Sequence, residues 1–242
     1  MKDEMKATLA PAHDNRTFPE GAGIKLCGRL AVIGMLCLST AAISLADDNQ
    51  KVVFEERFTS PMEAGWTWIR EDPKAWKVEN GALLLRVLPG YVYEEDNNAP
   101  NVLLRKASVT SKGLVLEVYL ENQPEILYEH AGLYWYYDDD NYVCLLKEWM
   151  GEKVRLRIVR EKDAKGDISG ESEYHAKGVW FRLVIAGGKA TGYYRETDKE
   201  DWRKMGKVDL PSKGESRVGL NAGGGPPNAE RWARFSHFRI LE

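Results

Sequence analysis

Eight tryptophans and eleven tyrosines, all beyond residue 46, pose the first chemical question of this 242-residue chain. Flat apolar rings stack on the C–H faces of sugars when planar polar groups beside them bond the hydroxyls. The densest cluster is His130–Arg160, HAGLYWYYDDDNYVCLLKEWMGEKVRLRIVR. Within it Tyr134, Trp135, Tyr136 and Tyr142 are candidate ligand-binding rings, and Glu148 is the polar group that ends their row. Ordinary core packing is the competing explanation for any one of these rings.

The same residues admit a second chemistry. Glycoside hydrolysis needs two carboxyl groups roughly 5–10 Å apart, one of them acting as the acid. Glu148 paired with Glu129 or Glu71 is the combination to try, against the alternative that all three are solvated carboxylates. A lyase would use a Tyr or His base beside a cation, and His130, Tyr134 and Arg157 supply those types. His175 and His237 stand isolated. Cys144 has apolar neighbours in a strand pattern and reads as a small buried hydrophobe. Asp138-Asp139-Asp140-Asn141 has hard oxygens but no twelve-residue cation loop, so it reads as turn chemistry and no metal ligand is assigned. Gly223-Gly224-Gly225 lacks the Lys-Ser/Thr of a phosphate loop and reads as a flexible loop.

The elements that must hold these residues are short strands. Ala131–Tyr137 and Tyr142–Glu148 flank the acidic turn as a hairpin, and Lys153–Arg160 alternates basic and apolar, a strand with one wet and one dry face. On the second strand Tyr142, Cys144, Leu146 and Glu148 share one face; on the first, Tyr134 and Tyr136 lie opposite Leu133 and Trp135. Asn80-Gly81 and Gly187-Gly188 mark two more hairpins, Gly166–Gly170 reads as a polar turn, and Pro89–Pro100 as an irregular loop that could border a site. About a dozen short strands and no sustained helical period specify an all-β antiparallel sandwich or barrel.

Leu30–Ala46, an uncharged apolar run after Lys25 and Arg29 that closes on Ser-Leu-Ala, predicts a signal peptide within a 1–46 leader. Residues 47–242 are then a single exported domain, secreted or periplasmic, without stable membrane insertion, and expected to be a monomer. Cys27 and Cys37 fall in the leader, so no intrachain disulfide is expected. With 34 Lys and Arg against 37 Asp and Glu there is no basic surplus to neutralise phosphates, which excludes nucleic acid as the partner.

The order of these pieces resembles the concanavalin A-like jelly-roll domains found as C-terminal accessory modules of family-43 glycoside hydrolases, and their stand-alone relatives. The resemblance runs from Phe54 to Ile240. It rests on Trp66-Thr67-Trp68-Ile69-Arg70, Gly81–Leu85, Asn101–Arg105, Ala131-Gly132-Leu133 with the acidic turn and Asn141-Tyr142 leading to Glu148, Trp180–Leu183, Val218-Gly219-Leu220 and Phe235–Phe238. It implies a concanavalin A-like two-sheet antiparallel β-sandwich (jelly roll) whose concave sheet carries Glu148, Tyr142 and one aromatic row. It further implies carbohydrate as the partner, with a hydrolase or lyase centred on Glu148, or an envelope protein-interaction domain, as alternatives. Relatives carry Asp where this chain has Glu56 and Ser236, so a structural calcium is doubtful and no cofactor is expected. Thr197–Glu200 likewise departs from the Ser-x-Asp-Gly turn before a Trp.

Overall fold

The computed structural model describes residues 50–242; the Leu30–Ala46 run, Cys27 and Cys37 lie outside them. Every regular element described is a strand, and no helix among these residues is long and apolar enough to cross a membrane. In chain order they are β1 (Val52–Glu56), β2 (Trp66–Ile69), β3 (Trp76–Glu79), β4 (Ala82–Arg86), β5 (Val92–Tyr93) and β6 (Asp96–Asn97). There follow β7 (Val102–Lys106), β8 (Leu114–Glu121), β9 (His130–Asp138), β10 (Asn141–Trp149), β11 (Val154–Lys162) and β12 (Gly166–Glu173). The last five are β13 (Gly178–Ala186), β14 (Lys189–Arg195), β15 (Arg203–Asp209), β16 (Arg217–Gly223) and β17 (Trp232–Leu241).

They form two large antiparallel sheets. The first has the order β15-β14-β13-β8-β17-β4-β3, with β1 also on β17; the second runs β12-β11-β10-β9-β16-β7-β2. Period-two side chains decide how the sheets stack. Leu116, Val118 and Leu120 of β8 and Phe181 and Leu183 of β13 face Leu133 and Trp135 of β9, Val143 and Leu145 of β10, and Leu156 and Ile158 of β11 in one core. Such burial contributes on the order of 1.5–3 kcal/mol per large side chain.

The sequence-predicted hairpins form. Asn80 and Gly81 take φ of 51° and 69°, the left-handed pair a two-residue loop requires, and Gly187 and Gly188 do the same. In the β9–β10 turn Asp138 accepts from the Asp140 amide (3.0 Å) and from Asn141 Nδ2 (2.8 Å), the turn chemistry expected of it.

Three expectations change. Gly166–Gly170 is not a turn but the start of β12, an edge strand whose polar residues hide it from a hydrophobicity pattern. Pro89–Pro100 contains the small hairpin β5–β6. Gly223-Gly224-Gly225 is buried rather than a free loop: Gly223 pairs with His130, and the amides of Gly224 and Gly225 donate to the carbonyls of Gly90 and Leu88 at 2.9 and 3.0 Å.

A second apolar layer sits on the outside of the second sheet. Val92 and Ala99, from the segment before β7, cover Tyr134, Tyr136, Tyr142, Cys144, Leu146 and Val159. β9 and β10 are therefore buried on both faces. Arg70 fastens the cover. Its Nε donates to the Ala99 carbonyl (2.6 Å) and its two Nη groups fork onto Asp139 (2.6 and 3.0 Å).

Candidate functional site

The cover leaves a gap. Register places His130, Gly132, Tyr134 and Tyr136 of β9 opposite Glu148, Leu146, Cys144 and Tyr142 of β10, and puts Arg157, Val159 and Glu161 of β11 beside them. These side chains share the outer face of the second sheet. Between them and the β5–β6 hairpin lies a pocket of about 360 Å³, within the size range of small-molecule sites.

Its floor is Tyr134, Tyr142, Leu146 and Val159; the two phenol rings lie 5.5 Å apart at 49°. Glu148 and Arg157 supply its polar side. Arg157 Nη1 donates to Glu148 Oε2 at 2.6 Å, with the side chains only 11% and 9% exposed. The face of β11 expected to be wet is thus a pocket wall, and Arg157 is held there as the counter-ion that lets Glu148 be buried. Glu171 Oε2 lies farther off, 3.7 Å from Arg157 Nε.

The walls and rim are aromatic. Tyr91 stacks on His130 with centroids 6.0 Å apart, while the half-exposed Tyr93, Tyr128 and Ile168 form the rim. His130 Nδ1 meets the Tyr128 carbonyl at 2.9 Å; a carbonyl only accepts, so in the neutral ring Nδ1 carries the proton and Nε2 the lone pair. Glycine sets how closely this wall approaches. A Cβ on Gly224 would strike the Tyr128 carbonyl and the Tyr91 ring, and its φ of 68° already excludes most residues.

The β5–β6 hairpin closes the remaining side. The Tyr142 hydroxyl lies against both the Val92 carbonyl and Glu161 Oε2 (2.9 Å), serving one acceptor at a time because it has one proton. The Glu94 amide donates to the same carboxylate oxygen (2.9 Å), and Asn97 Nδ2 to Asp140 (2.6 Å). Burial pushes the Glu161 carboxyl up from its ordinary range.

Burial also fixes the protonation of the floor. It raises the Tyr134 and Tyr142 phenols well above 10, Cys144 being the next contributor in both, and the Cys144 thiol well above 9 with help from Glu148. Burial thus favours the neutral thiol of Cys144 and the protonated phenol of Tyr134. Tyr91 is raised by burial first, then by the charges of Glu148 and Asp96.

Of the residues singled out from sequence, Tyr134, Tyr142 and Glu148 line the pocket, joined by His130 and Arg157. Tyr136 shares their face but stands outside it, its hydroxyl on Asp139 (2.7 Å) and the Arg217 guanidinium 4.9 Å from its ring centre. Trp135 points the other way. It is fully buried in the core between the sheets, because adjacent strand residues take opposite faces and only one of the pair Trp135 and Tyr136 can face outward.

The two partner carboxylates are elsewhere. Glu129 is buried, accepts the Glu125 and Ile126 amides (2.8 and 3.2 Å) and pairs with Arg231. Glu71 is exposed and accepts from Trp76 Nε1 (3.0 Å). Asp96 is the second carboxylate that lines the pocket. It lies on β6, within the Pro89–Pro100 stretch that sequence reading expected to border a site, and the aromatic and acidic density of Tyr91–Asp96 was the signal for it. Tyr128 was missed, since it sits on a loop with no period.

For a metal, no group of three or more His, Cys, Asp and Glu among the described residues is arranged to hold one. Glu56 is fully buried and its oxygens accept from the Phe58 amide (2.7 Å), the Glu63 amide and Trp66 Nε1 (both 2.9 Å). Asp139 and Asp140 are engaged by Arg70 and Asn97.

This two-sheet arrangement can be set beside known proteins. The β-xylosidase C-terminal concanavalin A-like domain matches residues 54–240. The chain belongs to that family. No curated protein matches it. Among solved structures it is similar to the family-43 glycoside hydrolase protein BlXynB of Bacillus licheniformis (TM-score 0.69, 20% identity), covering 77% of this chain and 39% of that one. It is also similar to a xylan β-1,4-xylosidase from Bacillus halodurans C-125 (TM-score 0.64, 24% identity), over 74% of this chain and 37% of the enzyme. A functionally unknown protein from Saccharomyces cerevisiae (TM-score 0.58, 21% identity) is instead 96% covered, over 73% of this chain. The chain thus spans well under half of the two bacterial proteins, and these likenesses establish its fold. The family makes it a carbohydrate-related β-sandwich.

Proposed function

We propose that this is an exported carbohydrate-binding domain, and that the pocket on the outer face of the second sheet is where it holds glycan without breaking it. The observation that carries this reading is the composition of that pocket: half-exposed aromatic rings around a rim, and one bonded carboxylate–guanidinium pair within. Sugars need apolar C–H faces covered and hydroxyls bonded from fixed positions, and this is the division of labour between Tyr91, Tyr93 and Tyr128 on one hand and Glu148 and Arg157 on the other. Membership of a family named for β-xylosidases supports a glycan ligand. The leader sequence supports export.

Binding is favoured over turnover by what surrounds Glu148. Its carboxylate already accepts from Arg157, as an acceptor of hydroxyl protons would, and the carboxylates expected to complete a catalytic pair are committed to other bonds. A hydrolytic reading would have to use Asp96 with Glu148.

The test is a glycan array probed with the full chain, with the binding mixtures assayed for new reducing ends and for unsaturated products. Binding without product, lost in Glu148→Gln, is the expected result. Product that disappears in Asp96→Asn would replace the binding reading by a hydrolytic one.

A further inference from the structure

The shape of the pocket says which part of a glycan it accepts. A sheet face that holds the middle of a polysaccharide is a groove open at both ends. Here the β5–β6 hairpin stands across the face: the Tyr142 hydroxyl and Glu161 hold it down, and the Tyr93 ring packs so closely on Gly166 that a Cβ there would collide with it. The opposite wall is the Tyr91–His130 stack, braced from behind by Gly223 and Gly224. A linear polymer running between these two ends of the face would meet a wall at each.

The polar pair inside keeps unused hydrogen-bonding groups of both kinds, with Arg157 Nε also making no hydrogen bond among the described residues. Glu148 Oε2 accepts from Arg157 Nη1. Among the described residues Glu148 Oε1 and Arg157 Nη2 make no hydrogen bond, leaving an acceptor beside a donor. Neighbouring sugar hydroxyls present the complement, one donating to the carboxylate and the next accepting from the guanidinium. Charge completes the description. Asp96 and Glu148 put two carboxylates on a lining that has one guanidinium, that of Arg157, so an anionic sugar meets a surplus of negative charge there.

Resting on the binding reading above, we infer that the pocket takes one chain-terminal, neutral sugar residue end-on, with Glu148 and Arg157 gripping two adjacent hydroxyls.

Calorimetric titration of the full chain with methyl xyloside, methyl glucoside and methyl galactoside, and with matching linear oligosaccharides of two to six residues, tests this directly. Affinity should change less than about threefold between two and six residues, glucuronate should bind at least tenfold more weakly than glucose, and a cyclic glucan, which has no end, should not bind. Tenfold tightening with length, or binding of the cyclic glucan, would overturn the end-on inference while leaving carbohydrate binding intact. Silence with every sugar would overturn both. Glu148→Gln, checked for an unchanged thermal melt, should lose at least tenfold in affinity. Should that variant unfold, Asp96→Asn still decides the charge argument: it should narrow the gap between glucuronate and glucose, and an unchanged gap would count against it.

Discussion

The two outer sheet faces of this molecule carry similar residue types and use them differently. On the first sheet Glu117 is shared by Arg182 and Arg239, and Glu121 pairs with Arg234 at 2.8 Å. Trp202 lies 4.3 Å from the guanidinium carbons of both Arg182 and Arg195, while Trp180 packs on Tyr119 (5.3 Å) and His237 (5.4 Å). Rings and charges there cover one another. On the second sheet a separate segment provides the cover, and where that segment stops short, rings and a polar pair are left facing a cavity. Aromatic abundance alone therefore does not distinguish the two faces; what differs is that on the second sheet rings and a polar pair border a cavity.

Substitutions that reverse this contrast should show it. Arg157→Met leaves Glu148 buried without its cation and should cost about 3–5 kcal/mol in denaturant unfolding. Arg234→Met, at a pair 35% and 24% exposed on the first sheet, should cost about 1 kcal/mol or less. Equal losses would mean that the two faces do not differ as described.

The tyrosines of the covered face give the next effect. Tyr134 and Tyr142 are raised chiefly by burial. A phenol held protonated in the fold contributes stability in full below the unfolded value near 10, and loses it as pH climbs from there toward the folded value. Stability should accordingly fall above pH 10 by about 1.4 kcal/mol per pH unit for each such tyrosine. Phenolate absorbance should show these two rings ionising only as the chain unfolds.

Trp202→Ala should cost about 1–2 kcal/mol through two lost cation–ring contacts and leave glycan affinity unchanged. Tyr128→Ala should do the reverse, with about tenfold weaker binding and a stability change within about 0.5 kcal/mol. The smallest effect belongs to chelation. Because both Glu56 oxygens are already engaged by protein donors, EDTA should leave the melting temperature unchanged, and a drop of several degrees would show that an ion is required.

Period and turn chemistry made much of this architecture legible. Alternation along Tyr142–Glu148 assigned each side chain to its face, and Asn80-Gly81 and Asp138–Asn141 located their hairpins. β12 was hidden because its residues are glycine and polar types, apart from Ile168, and so show no apolar period. In the site, Glu148 stood out as the polar end of an apolar row, but Arg157 as its partner depends on the register between β10 and β11, which no single strand encodes. Trp135 shows the opposite error, where residue type suggested a ligand and neighbour parity placed it in the core. Lys147 carried no signal either: buried on β10, its ammonium donates to the carbonyls of Asn122, Ala176 and Lys177 at 2.6–2.8 Å and ties two loops together.

Double burial of β9 and β10 has a kinetic side. Amides in strands covered on both faces exchange with solvent only when the whole domain opens, whereas the two-residue strands β5 and β6 can detach on their own. The floor of the pocket is thus as long-lived as the native state, and its rim can breathe many times within that lifetime. On the binding reading proposed above, sugar exchange over Tyr134 and Tyr142 would be timed by local opening at Tyr91–Asp96, and a bound sugar should slow deuterium uptake in that hairpin while leaving the amides beneath it unchanged.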